Sequence, residues 1–364
     1  MTAFELLLAP IGIAITALLL LASLKRSQQI SLGISILSLI ASYCLSHNSF
    51  EHMVLMSSAA ILLFSSCKEG SSEEFKTLIL LSTLGALTCV NSHDLMNLFI
   101  GIELLTLPIY GLIAWDVHSS KNIAAAIKYL VLAGASSAFM LLGMAFLYAE
   151  SGSMLLELSS LKGAILLFVG IGFKLSLVPF HLWTGDIYED SALPVTAFLA
   201  TVSKIALVGA LVHIAPTKPM IQVLSVIAIL SMISGSLLTL RQQNMSRFLG
   251  YSSIAHMGYV LVGWLVGADI SLYMTVYVTT LIVTFAILSW KPASKAGSII
   301  LILSLLSLMG MPVLPVFWGK YQILTAASMG HHWTLFGVFI FSSFISAYGY
   351  ARLIAKIYLK ESEA

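Results

Sequence analysis

The sequence predicts an all-helical protein threaded many times through a membrane, and three observations predict it. Of the 364 residues, 59% are hydrophobic and only 9% are charged, against about 25% charged in a water-soluble domain. Apolar runs of about 20 residues, the length a helix needs to cross the hydrocarbon core, recur from one end of the chain to the other. The connectors between them are short and hold most of the charge. So few polar side chains could not cover a water-facing surface, which excludes a soluble enzyme, and this composition is neither disordered nor fibrous. The balance of 18 Lys+Arg against 16 Asp+Glu gives +2, too little for a nucleic-acid partner. Cys44, Cys67 and Cys89 sit in apolar stretches without CxxC spacing. They read as small core residues rather than a disulfide framework or metal site.

In chain order the spans read as thirteen segments. The first, 2–24, has no Lys or Arg before it and Lys25-Arg26 after it, so it is a retained span rather than a cleaved signal peptide. Next come 30–47, then 50–67, which is short and serine-rich, then 77–92 and 95–115. A long run, 122–149, precedes 161–183, which contains Lys174 and Pro179. The remainder are 192–214, 219–240, 248–266, 270–290, 297–328, which is interrupted by Pro312 and Pro315, and 332–358. At about 20 residues each they take about 260 residues, so no sizeable domain lies outside the membrane.

Loop charges support this count. Numbering the loops alternately puts twelve Lys+Arg on the side reached after the first segment and only Lys162 and Lys218 on the other. One span more or fewer would flip every downstream loop and scramble the asymmetry. The positive-inside rule then places the N-terminus outside and the C-terminus in the cytoplasm.

Four lysines fall inside spans: Lys128, Lys174, Lys204 and Lys320. Glu103, in NLFIGIELLTLPIYGL, is the one acid at mid-depth, and His181 and His256 are the intramembrane imidazoles. An ionisable residue at a helix centre costs about 2.5–3.5 kcal/mol, so five facing lipid would cost on the order of 10–15 kcal/mol. They must face the bundle interior, water or one another. Structural ion pairs, or snorkelling to the interface, would explain an isolated case, and Lys128, nearest a membrane end, is the best candidate to snorkel. A lone histidine in an apolar helix commonly serves as a hydrogen-bonded core residue. Four amines against one acid do not fit one-to-one pairing. Burial disfavours a charged amine and a nearby carboxylate restores it, so an amine that gains and loses a carboxylate partner can exchange a proton, as in an intramembrane relay.

Pro179 follows Lys174 by five residues, and Pro312 and Pro315 precede Lys320. Proline removes a backbone donor and clashes with the preceding turn, so both helices should break there. Irregular backbone inside a bilayer is tolerated where it is buried in protein or lines a cavity. The interruptions lie in the seventh and twelfth segments, five spans apart, and an odd spacing inverts topology. This predicts two inverted five-helix repeats, each with a broken helix. The expected divisions are an N-terminal group of three helices over 1–76, a first repeat over 77–214 and a second over 215–364.

The stretches LFIGIELLTLPIYGL, AAIKYLVLAGASSAFMLLGMAFLYAESG, GIGFKLSLVPFHLWTGDIYEDSALPVTAFLATVSKIA, RFLGYSSIAHMGYVLVG and GKYQIL, spread over about residues 95–325, carry a family resemblance. The chain resembles the antiporter-like, proton-translocating membrane subunits of NADH–quinone oxidoreductase (respiratory complex I), in particular the bacterial subunit N branch. The resemblance implies that Glu103 is the glutamate of the fifth helix, partnered by Lys128. It implies that Lys174 is the lysine of the first broken helix, that Lys204 stands beside the central hydrophilic axis and that Lys320 belongs to the second broken helix. His181 and His256 match histidines placed between those lysines. The implied path is a chain of side chains and water along the midplane of a bacterial inner membrane.

Family members usually have fourteen helices; this chain is expected to end after thirteen, with a shortened connection WKPASKAGS and a compact N-terminal third. No HExxH, GxSxG, Walker loop, dinucleotide fingerprint or CxxC cluster occurs, so no cofactor is expected in this chain. The resemblance implies flavin, iron–sulfur clusters and quinone in partner subunits. It also implies other membrane-arm subunits as partners, both antiporter-like and small, besides the lipid bilayer. Two alternatives stay open: a subunit of a cation/proton antiporter or membrane-bound hydrogenase, and a structural subunit that no longer conducts.

Overall fold

The computed structural model describes residues 28–46, 48–65, 72–290 and 295–362. The expected first span, 2–24, lies outside these residues, as do Lys25, Arg26, Cys67, Lys68 and Lys291. Most of the described residues are helical, and their one β pairing is an isolated bridge between Asp94 and Leu155. In order the helices are α1 (Gln28–Leu45), α2 (Ser49–Ser65), α3 (Glu73–Val90), α4 (Leu95–Ile113), α5 (Ser120–Ser151), α6 (Leu161–Leu175), α7 (Thr184–Asp190), α8 (Leu193–Ala200), α9 (Val202–Leu211), α10 (Lys218–Thr239), α11 (Met245–Leu265), α12 (Ser271–Trp290), α13 (Lys295–Met309), α14 (Pro315–Met329) and α15 (Trp333–Ser362).

Six of these helical stretches, among the described residues, are long and apolar enough to cross a membrane: 95–113, 120–151, 193–211, 218–239, 271–290 and 333–358. This is the all-α pattern of a multi-pass membrane protein. Lipid offers no hydrogen bonds, so every spanning backbone must satisfy itself, and helices do so. Polar side chains start the helices where the first amides lack partners. Asp94 accepts from the Asn97 amide at 2.7 Å, Asn244 from Arg247 at 3.2 Å and Ser72 from Phe75 at 3.3 Å. The 32-residue α5 is about 48 Å long at about 1.5 Å per residue. That exceeds the roughly 30 Å hydrocarbon core and requires tilt or protrusion.

The chain divides into two compact units, Met1–Ile171 with Asp190–Ala215, and Gly172–Glu189 with Pro216–Ala364. In the first, α3 and α4 make the closest helix pair. A Cβ on Gly85 would lie 2.1 Å from the Leu105 amide nitrogen, so only glycine lets the backbones meet. Such small-residue contacts replace the hydrophobic drive that lipid removes. In the second, α10 and α11 pack along most of their length.

Two expectations need correction. Helix α3 starts at Glu73 rather than 77, so Lys76, counted with the loop charges, sits in its first turn and is buried. Cys44 is exposed, whereas Cys89 is buried. On α1 the inward face carries Ser35, Leu39 and Ser42, and Cys44 falls on the other side. In a membrane helix both faces are apolar, so an apolar setting does not identify the core.

Candidate functional site

In the first unit, Glu103 lies midway along α4 and is half-buried. Ser137 on α5 donates its hydroxyl to Glu103 Oε1 at 2.5 Å. Pro108, five residues on, lies inside α4 without ending it, so a proline alone does not break a helix in this chain. Lys128 is on α5, nine residues before Ser137. That is about two and a half turns, so it points away from the Ser137 side, and it is exposed.

Lys204 is fully buried on α9. The expected span 192–214 is not one straight helix: it is divided at Thr201, where φ is −118° and ψ −77°. Thr201 Oγ1 donates back to the Ala197 carbonyl at 2.7 Å and Ser203 Oγ to Leu199 at 2.6 Å. Such bonds favour a bend but do not make one alone, since Thr279, Thr280 and Thr284 form them along the unbroken α12. A search for proline or glycine misses this interruption. No residue type at this point marks it in the sequence.

In the second unit, Lys174 occupies the last turn of α6 and is 6% exposed. The helix stops at Ser176, whose φ is +62°, and Pro179 follows. The freed backbone finds partners: the Val178 amide donates to Ser231 Oγ at 2.9 Å, and Trp183 Nε1 donates to the Phe173 carbonyl at 3.1 Å. His181 is half-buried in the turn after Pro179. Arg247, read as a loop charge, brackets α7 to the start of α11. Its guanidinium meets Glu189 at 2.9 Å and Asp186 at 3.1 Å and stacks on Tyr251. The Glu189 carboxylate, then the Tyr251 hydroxyl, hold its proton affinity above the usual guanidinium range, so the guanidinium itself stays charged at any working pH.

The second break falls between α13 and α14, with positive φ at Gly310 and Val313 and Pro315 opening α14. Lys320 is 5% exposed. Its ammonium donates to the Met309 carbonyl at 3.0 Å and lies 5.0 Å from the Tyr259 ring centre. A cation at a helix C-terminus opposes the negative end of the helix dipole, and the aromatic face adds attraction. A cavity of about 360 Å³, lined by Met309, Phe317, Lys320, Tyr321, Phe339 and Phe344 among others, opens beside the amine.

His256, 2% exposed on α11, has Nδ1 at 2.6 Å from the Tyr273 hydroxyl. Its ring stacks on Tyr277 at 4.6 Å. Tyr259 accepts from Ser342 at 3.1 Å and Ser343 at 3.3 Å. Ser252 and Tyr350 pair at 2.5 Å. Residue-type reasoning in the sequence sought charges and missed these tyrosines, although Tyr273 and Tyr277 at i, i+4 lie on one helical face.

The structure thus groups Glu103, Lys128 and Lys204 in one unit and Lys174, His181, His256 and Lys320 in the other. Buried amines, an imidazole, a carboxylate and hydroxyls can exchange protons. Among the described residues no group of three or more His, Cys, Asp or Glu could hold a metal ion.

The chain is similar in sequence and in fold to known membrane proteins. The family model described as "NADH:quinone oxidoreductase/Mrp antiporter, TM" matches residues 92–296. A curated relative, NADH-quinone oxidoreductase subunit N of Ectopseudomonas mendocina, is 38% identical over 333 residues, which cover 80% of this chain and 67% of the relative. The structure of respiratory complex I from Thermus thermophilus contains a chain that superposes with a TM-score of 0.86 at 26% identity, covering 96% of this chain and 90% of that one. A chain of the Mrp complex from Dietzia sp. superposes at 0.82 with 17% identity, covering 97% and 80%, a likeness of fold.

Proposed function

The chain belongs to the NADH:quinone oxidoreductase/Mrp antiporter transmembrane family, and we propose that it is a proton-translocating membrane-arm subunit of an NADH–quinone oxidoreductase. It would work in a bacterial inner membrane among other membrane-arm subunits. Flavin, iron–sulfur clusters and quinone would belong to those partners, and this chain would hold no redox centre. Thirteen spans, an outside N-terminus, a cytoplasmic C-terminus and inverted repeats over 77–214 and 215–364 are part of this reading.

The observation that carries the proposal is the burial of Lys174, Lys204 and Lys320, each at or just beside a helix interruption. Amines are costly in a membrane interior, and three beside three interruptions is poor design for a scaffold. Glu103, Lys128 and Lys204 would be the carriers of the first unit. Lys174, His181, His256 and Lys320 would be those of the second. Two charges about 4 Å apart at an effective dielectric near 20 interact by about 4 kcal/mol, and half of that is about 1.5 pKa units. One ion pair made or broken therefore suffices to switch an amine.

The test is Glu103→Ala, or Lys174→Ala, in the reconstituted complex. Proton translocation per electron should collapse, and undiminished pumping would sink the proposal. The fold likeness to the Mrp complex favours a second reading, a cation/proton antiporter subunit. Copurifying flavin and iron–sulfur proteins would decide for the first, and sodium-dependent transport without them for the second.

A further inference from the structure

We infer that Tyr273 is a positioning residue for His256, fixing which imidazole nitrogen carries the mobile proton. The inference rests on the reading of this chain as a proton carrier. Three observations meet at this residue. Its hydroxyl lies 2.6 Å from His256 Nδ1, and both side chains are buried, at 0% and 2% exposure. The backbone of Tyr273 is clamped by α14: a Cβ on Gly319 would fall 2.7 Å from Tyr273 Cα, so Gly319, the neighbour of Lys320, lets that helix seat directly on Tyr273. The imidazole is held from its face as well, because Tyr277, one turn along α12, stacks on it with planes 23° apart.

A neutral imidazole has one donor and one acceptor nitrogen, and which is which follows from the bond the other makes. A phenol is a better donor than imidazole is at neutral pH, so the Tyr273 O–H donates to Nδ1. That leaves the proton on Nε2. When His256 takes a second proton, Nδ1 becomes a donor and the Tyr273 hydroxyl must turn to accept. The hydrogen bond reverses as the imidazole charges, and no heavy atom has to move. Other titratable groups packed around the site are Tyr259 on the same helix, Tyr277 on α12 and Lys320 above the Tyr259 ring. Tyr188 and Tyr350 lie within electrostatic reach of Tyr277.

The experiment is Tyr273→Phe, His256→Gln and the double variant, each in the assembled complex reconstituted in vesicles. Electron-driven proton translocation is followed across a range of pH. Tyr273→Phe should slow translocation by about three- to tenfold, the scale of one buried hydrogen bond, and displace the pH profile. In the His256→Gln background it should have no further effect, because a residue that acts through another adds nothing once that partner is gone. A wild-type rate and profile, or losses that multiply in the double variant, would overturn the inference. Should Tyr273→Phe fail to assemble, difluorotyrosine at 273 keeps the shape and acidifies the hydroxyl. A displaced profile then supports the role, and an unchanged one overturns it. If Glu103→Ala stops pumping while Tyr273→Phe leaves it intact, this inference alone fails. If Glu103→Ala leaves pumping intact, the carrier reading fails first.

Discussion

The two units keep polar groups inside apolar helices in different ways. The first holds the mid-depth carboxylate, Glu103, by a serine hydroxyl from the neighbouring helix, and it buries Lys204 just after the interruption at Thr201. The second relies on hydroxyls and aromatic faces: His256 sits against Tyr273 and Tyr277, and Lys320 caps Met309 above the Tyr259 ring. The difference teaches that the first unit hangs on a single carboxylate and what holds it, whereas the second spreads its polar contacts over several hydroxyls and rings.

Glu103→Gln would break this contrast most severely if it proved harmless. It keeps size and hydrogen bonding and removes the charge, so translocation should fall by more than about tenfold, measured as vesicle acidification per electron transferred. Ser137→Ala sharpens the same point. It deletes a hydrogen bond to a carboxylate, worth about 1.5 kcal/mol at the low end for such bonds, so the loss should be about tenfold.

Tyr277→Phe has the smallest expected effect and the opposite sign. Its hydroxyl is buried without a hydrogen-bond partner among the described residues, and removing such a group relieves a desolvation cost of about 1 kcal/mol. The thermal midpoint of the detergent-solubilised assembly should hold or rise slightly. A clear fall would show that this hydroxyl has a partner, and would weaken the distinction between Tyr277 and Tyr273.

Much of the fold was written in local sequence. Apolar runs long enough to span, Pro179 and the Pro312–Pro315 pair marked the six described helices that are long enough to cross a membrane and two of the three interruptions, because length, hydropathy and the missing proline amide act within a few residues. The same rule misleads at Pro108, which lies inside α4 without ending it, and it is silent at Thr201, where the helix is interrupted without any missing amide. Lys174, Lys204 and Lys320 could be named from depth alone, since a buried amine is costly wherever it sits.

What tertiary structure alone decided is which groups face which. Ser137 reaches Glu103 across 34 residues of chain, and Tyr259 lies under the Lys320 ammonium. The stretch 172–189 with Lys174 and His181 clusters with the C-terminal unit, although it lies within the expected first repeat in sequence. Insertion energetics assign each residue a depth but no rotation about its helix axis. Rotation comes from close packing such as Gly85 on Leu105 and Gly319 on Tyr273, and such contacts exist only once separate helices meet.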